Sequence, residues 1–347
     1  MGGNDRIGPV FSNISTSCVA SLNISEASTS RTIKRVLVLN YSQTGQLTEI
    51  AKRILAPLEQ DGGIAVHIET LRPVKPYPFP WGFFSFLDAF PESAHMVPPP
   101  LQPLSLTGDE DFDLVILPYQ VWFLAPSQPV TAFLKHPLAK KLLDGKPVVT
   151  VIACRNMWML AQEKMKGLLD NCGARLLDNV ALVDRSPTMV SLWTTPLWLL
   201  SGKKDLLKIF PPAGVDAASI QAASRFGFAL RDALHQNKEH GTAPLLSGLK
   251  AADSDPHLLV SEKAATRSFY LWGKLLRAVG EPGQLRRYPF LILYVIFLIT
   301  LILTVVPLSL LIQSLLRPFM RWRFAALKQR FDLPSGSGTE RMHLYEH

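Results

Sequence analysis

Short, almost purely apolar runs recur along the chain and predict the strands of a sheet. The runs are rich in Val, Leu and Ile and lack the regular alternation that a half-exposed strand shows. Strands covered on both faces have this pattern, because neither face meets water. We therefore expect five buried strands, at residues 35–41, 64–71, 114–117, 147–153 and 174–183.

Apolar residues at helical spacing lie between or after these strands. The spacing predicts helices around residues 47–58, 130–134, 160–172 and 217–234. Strands that alternate with helices in this way form a parallel sheet with helices on both faces. The expected fold class is therefore α/β, with a doubly wound five-stranded parallel sheet.

Two stretches exceed what such a sheet needs. Residues 73–103 are rich in proline and aromatic residues, and a regular element is expected there only at 81–90. Residues 186–215 contain Trp193 and Trp198, and we expect them to form an excursion near the carboxyl edge of the sheet.

The composition changes after residue 236 and predicts several segments. A polar stretch is followed by an amphipathic pattern with basic residues, and then by a long run without charge. We expect a chain that ends at Gln236 to fold by itself, because the polar stretch has few apolar residues to pack. The predicted organisation is a disordered leader (1–32), a sheet domain (33–236), a linker (237–260), a basic amphipathic helix (261–287), a membrane segment (288–316) and a basic tail (317–347).

The apolar run is long enough to enter a membrane. Residues 288–316 hold no charged side chain, and a helix of that length reaches about 43 Å, beyond a bilayer core. Pro307 divides the run, so a kinked single span and a re-entrant arrangement both stay open. Arg and Lys flank both ends, which favours both ends on the cytoplasmic side. We expect the protein at the cytoplasmic face of the inner membrane, with membrane lipid as a partner.

The net charge of +8 agrees with that location. The net positive charge is concentrated between Lys263 and Arg330, where 11 basic residues and one acidic residue lie on both sides of the apolar run, so anionic lipid explains it better than nucleic acid. The apolar content of 48% and the mean hydropathy of +0.16 are high for a purely soluble enzyme. Cys18, Cys154 and Cys172 have neither disulfide nor metal-ligand spacing, so no metal site is expected.

A small polar turn joins the first strand to the first helix and predicts a phosphate site. Successive N–H groups and a helix N-terminus favour an anion there, and hydroxyls add donors. The turn has no lysine, which suits the single phosphate of FMN better than the phosphate chain of ATP. A capped turn without a ligand is the alternative. The candidate residues are Ser42, Gln43, Thr44, Gly45, Gln46 and Leu47.

This turn resembles the phosphate loop of the flavodoxin family, which reads roughly Ser/Thr-x-Thr-Gly-x-Thr. The resemblance implies a flavodoxin-like fold and bound FMN. Leu47 stands where the family has its last Thr, so one phosphate donor is missing. Thr48 is the candidate replacement.

The loops after the third and fourth strands are expected to hold the flavin ring, because ligands of open α/β sheets lie beyond the carboxyl ends of the strands. Tyr119 and Arg155 are the candidate catalytic residues, with Arg155 stabilising a reduced, anionic flavin. The aromatic residues could equally be core residues or membrane-facing anchors. The candidate ring contacts are Tyr119, Trp122, Phe123, Cys154, Arg155, Asn156, Met157 and Trp158.

A closer resemblance rests on four motifs within residues 34–236. They are Tyr41-Ser-Gln-Thr-Gly-Gln-Leu47, Tyr77-Pro-Phe-Pro-Trp81 with Phe90-Pro-Glu92, Gln120-Val-Trp-Phe-Leu124 and Arg155-Asn-Met-Trp158. Together they resemble the dialkylresorcinol condensing enzyme family. The resemblance implies a flavin-dependent step in dialkylresorcinol-type lipid biosynthesis beside a ketosynthase partner, on a lipid-like substrate.

Three functions compete at this point. The leading hypothesis is a membrane-bound FMN oxidoreductase for a lipid-like cyclic diketone, phenol or quinone. The second is a flavodoxin-type electron carrier or quinone reductase docked at the membrane; the basic balance argues mildly against the electron carrier. The third is a flavin-free scaffold that binds lipid.

Overall fold

The computed structural model describes residues 33–316 and 321–345 of the 347-residue chain. The predicted leader (1–32), with Cys18, and the first residues of the predicted tail (317–320) lie outside the described residues.

Five parallel strands and one short antiparallel strand form the sheet. They are β1 (Lys34–Asn40), β2 (Ile64–Thr70), β3 (Leu114–Trp122), β4 (Ala125–Pro126), β5 (Pro147–Cys154) and β6 (Arg175–Val183). The order β2-β1-β3-β5-β6, with β4 paired to β3, is the flavodoxin-like order. The predicted fold class is confirmed. β3 runs five residues beyond its predicted end and includes part of the loop that was expected to hold the flavin ring.

Helices cover both faces of the sheet and continue into a C-terminal group. They are α1 (Gln46–Glu59), α2 (Phe83–Asp88), α3 (Phe90–Ala94), α4 (Gln128–Leu134), α5 (Pro137–Leu143), α6 (Met159–Asn171), α7 (Thr188–Ser201), α8 (Ala217–Gln221), α9 (Ser224–His235), α10 (Leu259–Val279), α11 (Tyr288–Leu316) and α12 (Arg321–Asp332). The single helix predicted at 217–234 is two helices, α8 and α9.

Alternate residues of β1 belong to two separate hydrophobic cores. Val36 and Val38 point to the face covered by α1 and α9, whereas Leu37 and Leu39 point to the face covered by α4, α5 and α6. On the first face, a Cβ at Gly227 would lie 2.0 Å from the Ile54 carbonyl oxygen, so only glycine allows α9 to approach α1 this closely. The sheet is thus buried on both faces, as its apolar strands predict.

Residues 237–260 pack against the sheet instead of hanging free. Leu245, Leu246 and Leu249 are buried in the core on the α1 and α9 side. The Asp178 carboxylate of β6 accepts hydrogen bonds from the Leu245 N–H at 2.7 Å and the Leu246 N–H at 3.1 Å. Local polarity led us to expect a linker, but the apolar minority of this stretch is what the sheet edge buries.

The C-terminal helices contact the sheet domain through a third apolar cluster. Leu276 of α10 and Leu291 and Tyr294 of α11 are buried there with Leu87 and Phe90 of α2 and α3. α11 covers the same residues as the apolar run. The segment Leu285–Thr304, which begins three residues before α11, is long and apolar enough to cross a membrane, with a mean hydropathy of 2.0.

Candidate functional site

The turn between β1 and α1 has an open geometry. Gly45 precedes α1 with a φ of +81°, a region that favours glycine, and no atom lies within 4 Å of where its Cβ would stand. The first turn of any helix leaves N–H groups without helical partners. Those of α1 are therefore available to an anion at the carboxyl edge of the sheet.

Two hydroxyls of this turn have spare hydrogen-bonding capacity. The Ser42 Oγ is buried and has no hydrogen-bond partner among the described residues. Thr44 Oγ1 accepts only a long bond, 3.5 Å, from the Gln46 N–H. Leaving a buried hydroxyl unpaired costs free energy, so such a group is normally found where a ligand or water completes it.

The remaining side chains of the turn bond to neighbouring segments or pack in the core. Gln46 forms a pair of hydrogen bonds with the Val215 backbone, donating to its oxygen at 3.0 Å and accepting from its N–H at 3.1 Å. Gln43 Nε2 donates to the carbonyl oxygens of Tyr77 at 3.2 Å and Pro78 at 2.5 Å. Leu47 is buried in the core. The side chains of Gln46 and Leu47 thus hold the turn in place, which differs from the ligand contact we expected of them.

Trp122 lies in an aromatic cluster beside the turn. Its ring centroid is 5.0 Å from that of Tyr77, 5.6 Å from that of Trp81 and 6.0 Å from that of Tyr41, all edge-on. Burial raises the pKa values of the Tyr41 and Tyr77 hydroxyls well above their usual range, so both stay neutral donors. The structure therefore places the predicted aromatic residue Trp122 next to the predicted phosphate turn.

Phe123 turns away from this cluster toward the C-terminal helices. It and Leu124 have φ values of +49° and +59°, a strained region for side chains of this size. The Phe123 ring lies 5.3 Å from Phe86, 5.8 Å from Phe90 and 5.6 Å from Phe269 of α10. Two successive aromatic residues after β3 therefore have different surroundings: Trp122 lies beside the turn, and Phe123 packs toward the C-terminal helices.

Tyr119 and Trp158 lie in the core. Tyr119 has 0% of its surface exposed, and its hydroxyl donates to Gln162 Oε1 at 2.6 Å. Gln162 in turn donates to Thr150 Oγ1 at 3.1 Å, which completes a satisfied network between the sheet and α6. Trp158 is buried in the same core. These positions favour structural roles over the catalytic and ring-binding roles that we expected.

Arg155, after β5, is the candidate charge of the site. Its Nη1 is buried without a hydrogen-bond partner among the described residues, and its Nη2 contacts the Met157 sulfur at 3.8 Å. Burial lowers the pKa of Arg155, but a guanidinium stays protonated in proteins. Burial also raises the pKa of the neighbouring Cys154 thiol. Asn156 is half-buried in this loop, and Met157 has a φ of +55°.

Helix α7 brings further hydroxyls that the sequence pattern did not single out. The Thr194 and Thr195 hydroxyls are buried without partners among the described residues. One turn later, Trp198 lies edge-on to Phe79, and both Trp198 and Gln46 flank the Gly214 backbone. The predicted excursion therefore adjoins the phosphate turn. In the sequence, these residues could have been recognised as candidates only because two adjacent threonines are unusual in an apolar helix.

Comparisons with known proteins agree only in broad terms. No protein-family model and no curated protein matches the chain. Among solved structures, a flavoprotein in complex with FMN from Lactobacillus acidophilus NCFM is 16% identical, with a TM-score of 0.35 over 42% of this chain and 91% of that chain. A flavodoxin from the domain Archaea is 12% identical, with a TM-score of 0.30 over 59% of this chain and 99% of that chain. The Trp repressor binding protein from Bacillus subtilis is 9% identical, with a TM-score of 0.27 over 48% and 99%. At such scores the fold assignment rests on the strand order.

Proposed function

We propose that the protein is a membrane-associated, FMN-dependent oxidoreductase that acts on a lipid-like substrate. The observation that carries the proposal is the turn at Ser42–Gly45, which combines a buried unpartnered hydroxyl with an open glycine at the switch point of a flavodoxin-order sheet.

The residues at this edge fit the parts of FMN unequally. The hydroxyls of Ser42 and Thr44 and the N–H groups of α1 would hold the phosphate. Arg155 would supply positive charge near the reduced ring, and Trp122 would give it an aromatic neighbour. FMN, when bound, supplies transfer of a hydride or of single electrons. The chain's own contribution is to orient the cofactor, exclude water and place a cation.

Membrane association is supported by the surface of the C-terminal helices. Only 17% of the apolar segment Leu285–Thr304 is buried inside the protein. Exposed apolar side chains include Ile292, Leu293 and Ile296 of α11. An apolar surface of this kind in a helix without charge is stable in lipid and costly in water.

The two flanks of α11 pack on the same domain, which supports a monotopic arrangement. Before α11, the buried Arg287 forms ion pairs with Asp88 and Glu92. After it, Asp332 accepts a hydrogen bond from the Ser254 N–H at 2.7 Å, and the Ser335 hydroxyl donates to Asp178 at 2.7 Å. A single span would separate these flanks by a bilayer, so we propose that α11 enters one face only.

A line of aromatic residues supports a substrate that arrives from the membrane. Trp122 stands beside the proposed cofactor site and contacts Trp81, which in turn contacts Phe86. Phe86 contacts Phe123, and Phe123 contacts Phe90. Phe90 in turn lies 4.4 Å from Tyr294 of α11. Apolar contact thus runs from the cofactor edge to the membrane helix. The motif resemblance makes dialkylresorcinol-type lipid biosynthesis, beside a ketosynthase, the pathway that we propose.

Flavin analysis of the detergent-purified full-length protein tests the proposal. We expect flavin absorbance after purification, FMN by mass after release, and reversible reduction of the bound flavin. Release of FAD, or no flavin from cells grown with excess riboflavin, would contradict it. The latter result would favour the flavin-free scaffold.

A further inference from the structure

A cavity away from the proposed cofactor turn opens between α3, α6 and α10. Its volume is about 710 Å³, within the range of small-molecule sites. α10 is held close to α3 here, because a Cβ at Gly273 would lie 3.0 Å from the His95 ring and 3.3 Å from the Pro91 Cα. The His95 ring also stacks on Tyr270 with 4.5 Å between centroids. The walls of the cavity are therefore fixed by packing.

The polar side chains of the cavity are those of Lys164, Arg267, Thr266, His95 and Tyr270, and the His95 ring already bonds through Nε2 to the Tyr270 carbonyl oxygen at 3.0 Å. Lys164 of α6 and Arg267 of α10 both line it, and no carboxylate is among the described lining residues. Lys164 Nζ donates to the Leu124 carbonyl oxygen at 2.9 Å, which leaves further N–H donors for a ligand. The Thr266 hydroxyl is buried and has no partner among the described residues. This donor set suits an anion.

Ala94, Met96 and Leu271 form the apolar part of the lining, and this apolar surface continues onto an exposed stripe of α10. Leu271 is 66% exposed at the cavity rim, and Leu275 follows one turn later. Lys263 and Lys274 are exposed on the same helix. A free inorganic anion would use the cations but not the apolar rim, whereas a lipid uses both.

We propose that this cavity binds the head group of an acidic phospholipid, with its acyl chains along Leu271 and Leu275. The site would fix how the domain sits on the membrane. Through Lys164, it also adjoins the loop after β3. The proposal rests on the membrane association proposed above but not on the flavin, so a flavin-free preparation tests it equally well.

Binding of short-chain lipids to the detergent-purified full-length chain tests this site. Titrations compare dioctanoyl phosphatidylglycerol, dioctanoyl phosphatidylcholine and inorganic phosphate. The informative variant is Arg267→Gln, because Arg267 is exposed and its replacement leaves the core intact. Lys274→Gln is the matched control, because it removes the same charge from the same helix outside the cavity.

We expect one phosphatidylglycerol molecule to bind at least about tenfold more tightly than phosphatidylcholine. Arg267→Gln should weaken phosphatidylglycerol binding about tenfold, as loss of one charge-assisted hydrogen bond implies. Lys274→Gln should change it less than about twofold. Equal losses in both variants would show a general surface charge effect and overturn the site. Equal binding of both lipids, or complete competition by inorganic phosphate at the lipid's own affinity, would also overturn it.

Discussion

Arg287 Nη1 lies 3.1 Å from Asp88 Oδ1, and the Arg287 side chain is 0% exposed. The Nη2 lies 3.3 Å from Glu92 Oε1, so one buried guanidinium joins the start of α11 to α2 and α3. Burial raises the pKa values of both carboxyls, and Arg287 opposes the shift. The junction between α11 and the sheet domain is therefore a buried charge cluster.

Arg287→Ala should destabilise the protein strongly. Removing one partner of a buried ion pair costs about 3–5 kcal/mol, because the remaining charges lose their compensation. Thermal unfolding in detergent measures the effect. Arg286→Ala is the control, since the exposed Arg286 bonds only to the neighbouring Gln284 among the described side chains. Equal stability of the two variants would show that the cluster does not hold the junction.

Ser42→Ala should weaken FMN binding. If the buried hydroxyl donates to the phosphate, its loss should raise Kd about tenfold to a hundredfold, the usual effect of one hydrogen bond to a charged group. A flavin titration of apoprotein measures this. Ser85→Ala is the control, because the hydroxyl of Ser85, on α2, donates to the Gly82 carbonyl oxygen away from the turn. An unchanged Kd in Ser42→Ala would move the phosphate away from this turn.

Stability should fall as pH rises through the titration of Glu262. Burial raises its pKa from 4.5 to about 7, while the N–H groups of Leu160 and Met159 oppose the shift. The folded protein then binds the proton more tightly than the unfolded chain, so stability is lost between pH 4.5 and about 7.

The Glu262→Gln variant isolates this effect. The free energy of unfolding of the wild type should fall by on the order of 3 kcal/mol across that pH window. A glutamine cannot titrate, so the variant should not show this fall. Denaturant unfolding in detergent at several pH values gives the comparison. Parallel pH profiles for the wild type and the variant would show that Glu262 ionises normally.

A chain truncated after Gln236 should unfold or aggregate. The structure reverses the expectation drawn from the polar composition, since Leu245, Leu246 and Leu249 belong to the core. In the full-length chain, Leu246→Ala should cost about 2–5 kcal/mol through the cavity that it leaves. Leu271→Ala, at an exposed position, should change stability by less than about 0.5 kcal/mol. A cooperatively folded truncated chain would contradict this prediction.

Single cysteines test the proposed monotopic arrangement of α11. Thr339 follows α11 and Gln221 lies on the sheet domain, and both are exposed. In a Cys-free background with sealed vesicles, Thr339→Cys and Gln221→Cys should react alike with a membrane-impermeant maleimide. Opposite reactivity would place the two flanks on opposite sides and establish a single span.

Local sequence was enough to predict the sheet, its doubly wound class and the turn before α1. Buried parallel strands must be apolar throughout, so Val36–Leu39 predicts β1 without any knowledge of its neighbours. The turn is equally local, because Gly45 and the start of α1 are adjacent in the chain. The apolar run that became α11 has the same independence from context.

Tertiary structure alone decided which side chains serve the site and which serve the core. Tyr119 and Trp122 are three residues apart, yet one is sealed against Gln162 and the other stands beside the turn. The difference arises because partners distant in sequence, here α6 and residues 77–81, supply the surroundings. The same holds for Leu246 and for Arg287: the sequence around them does not show that they are buried, because Asp178 and Asp88, both far away in the chain, must first be brought beside them.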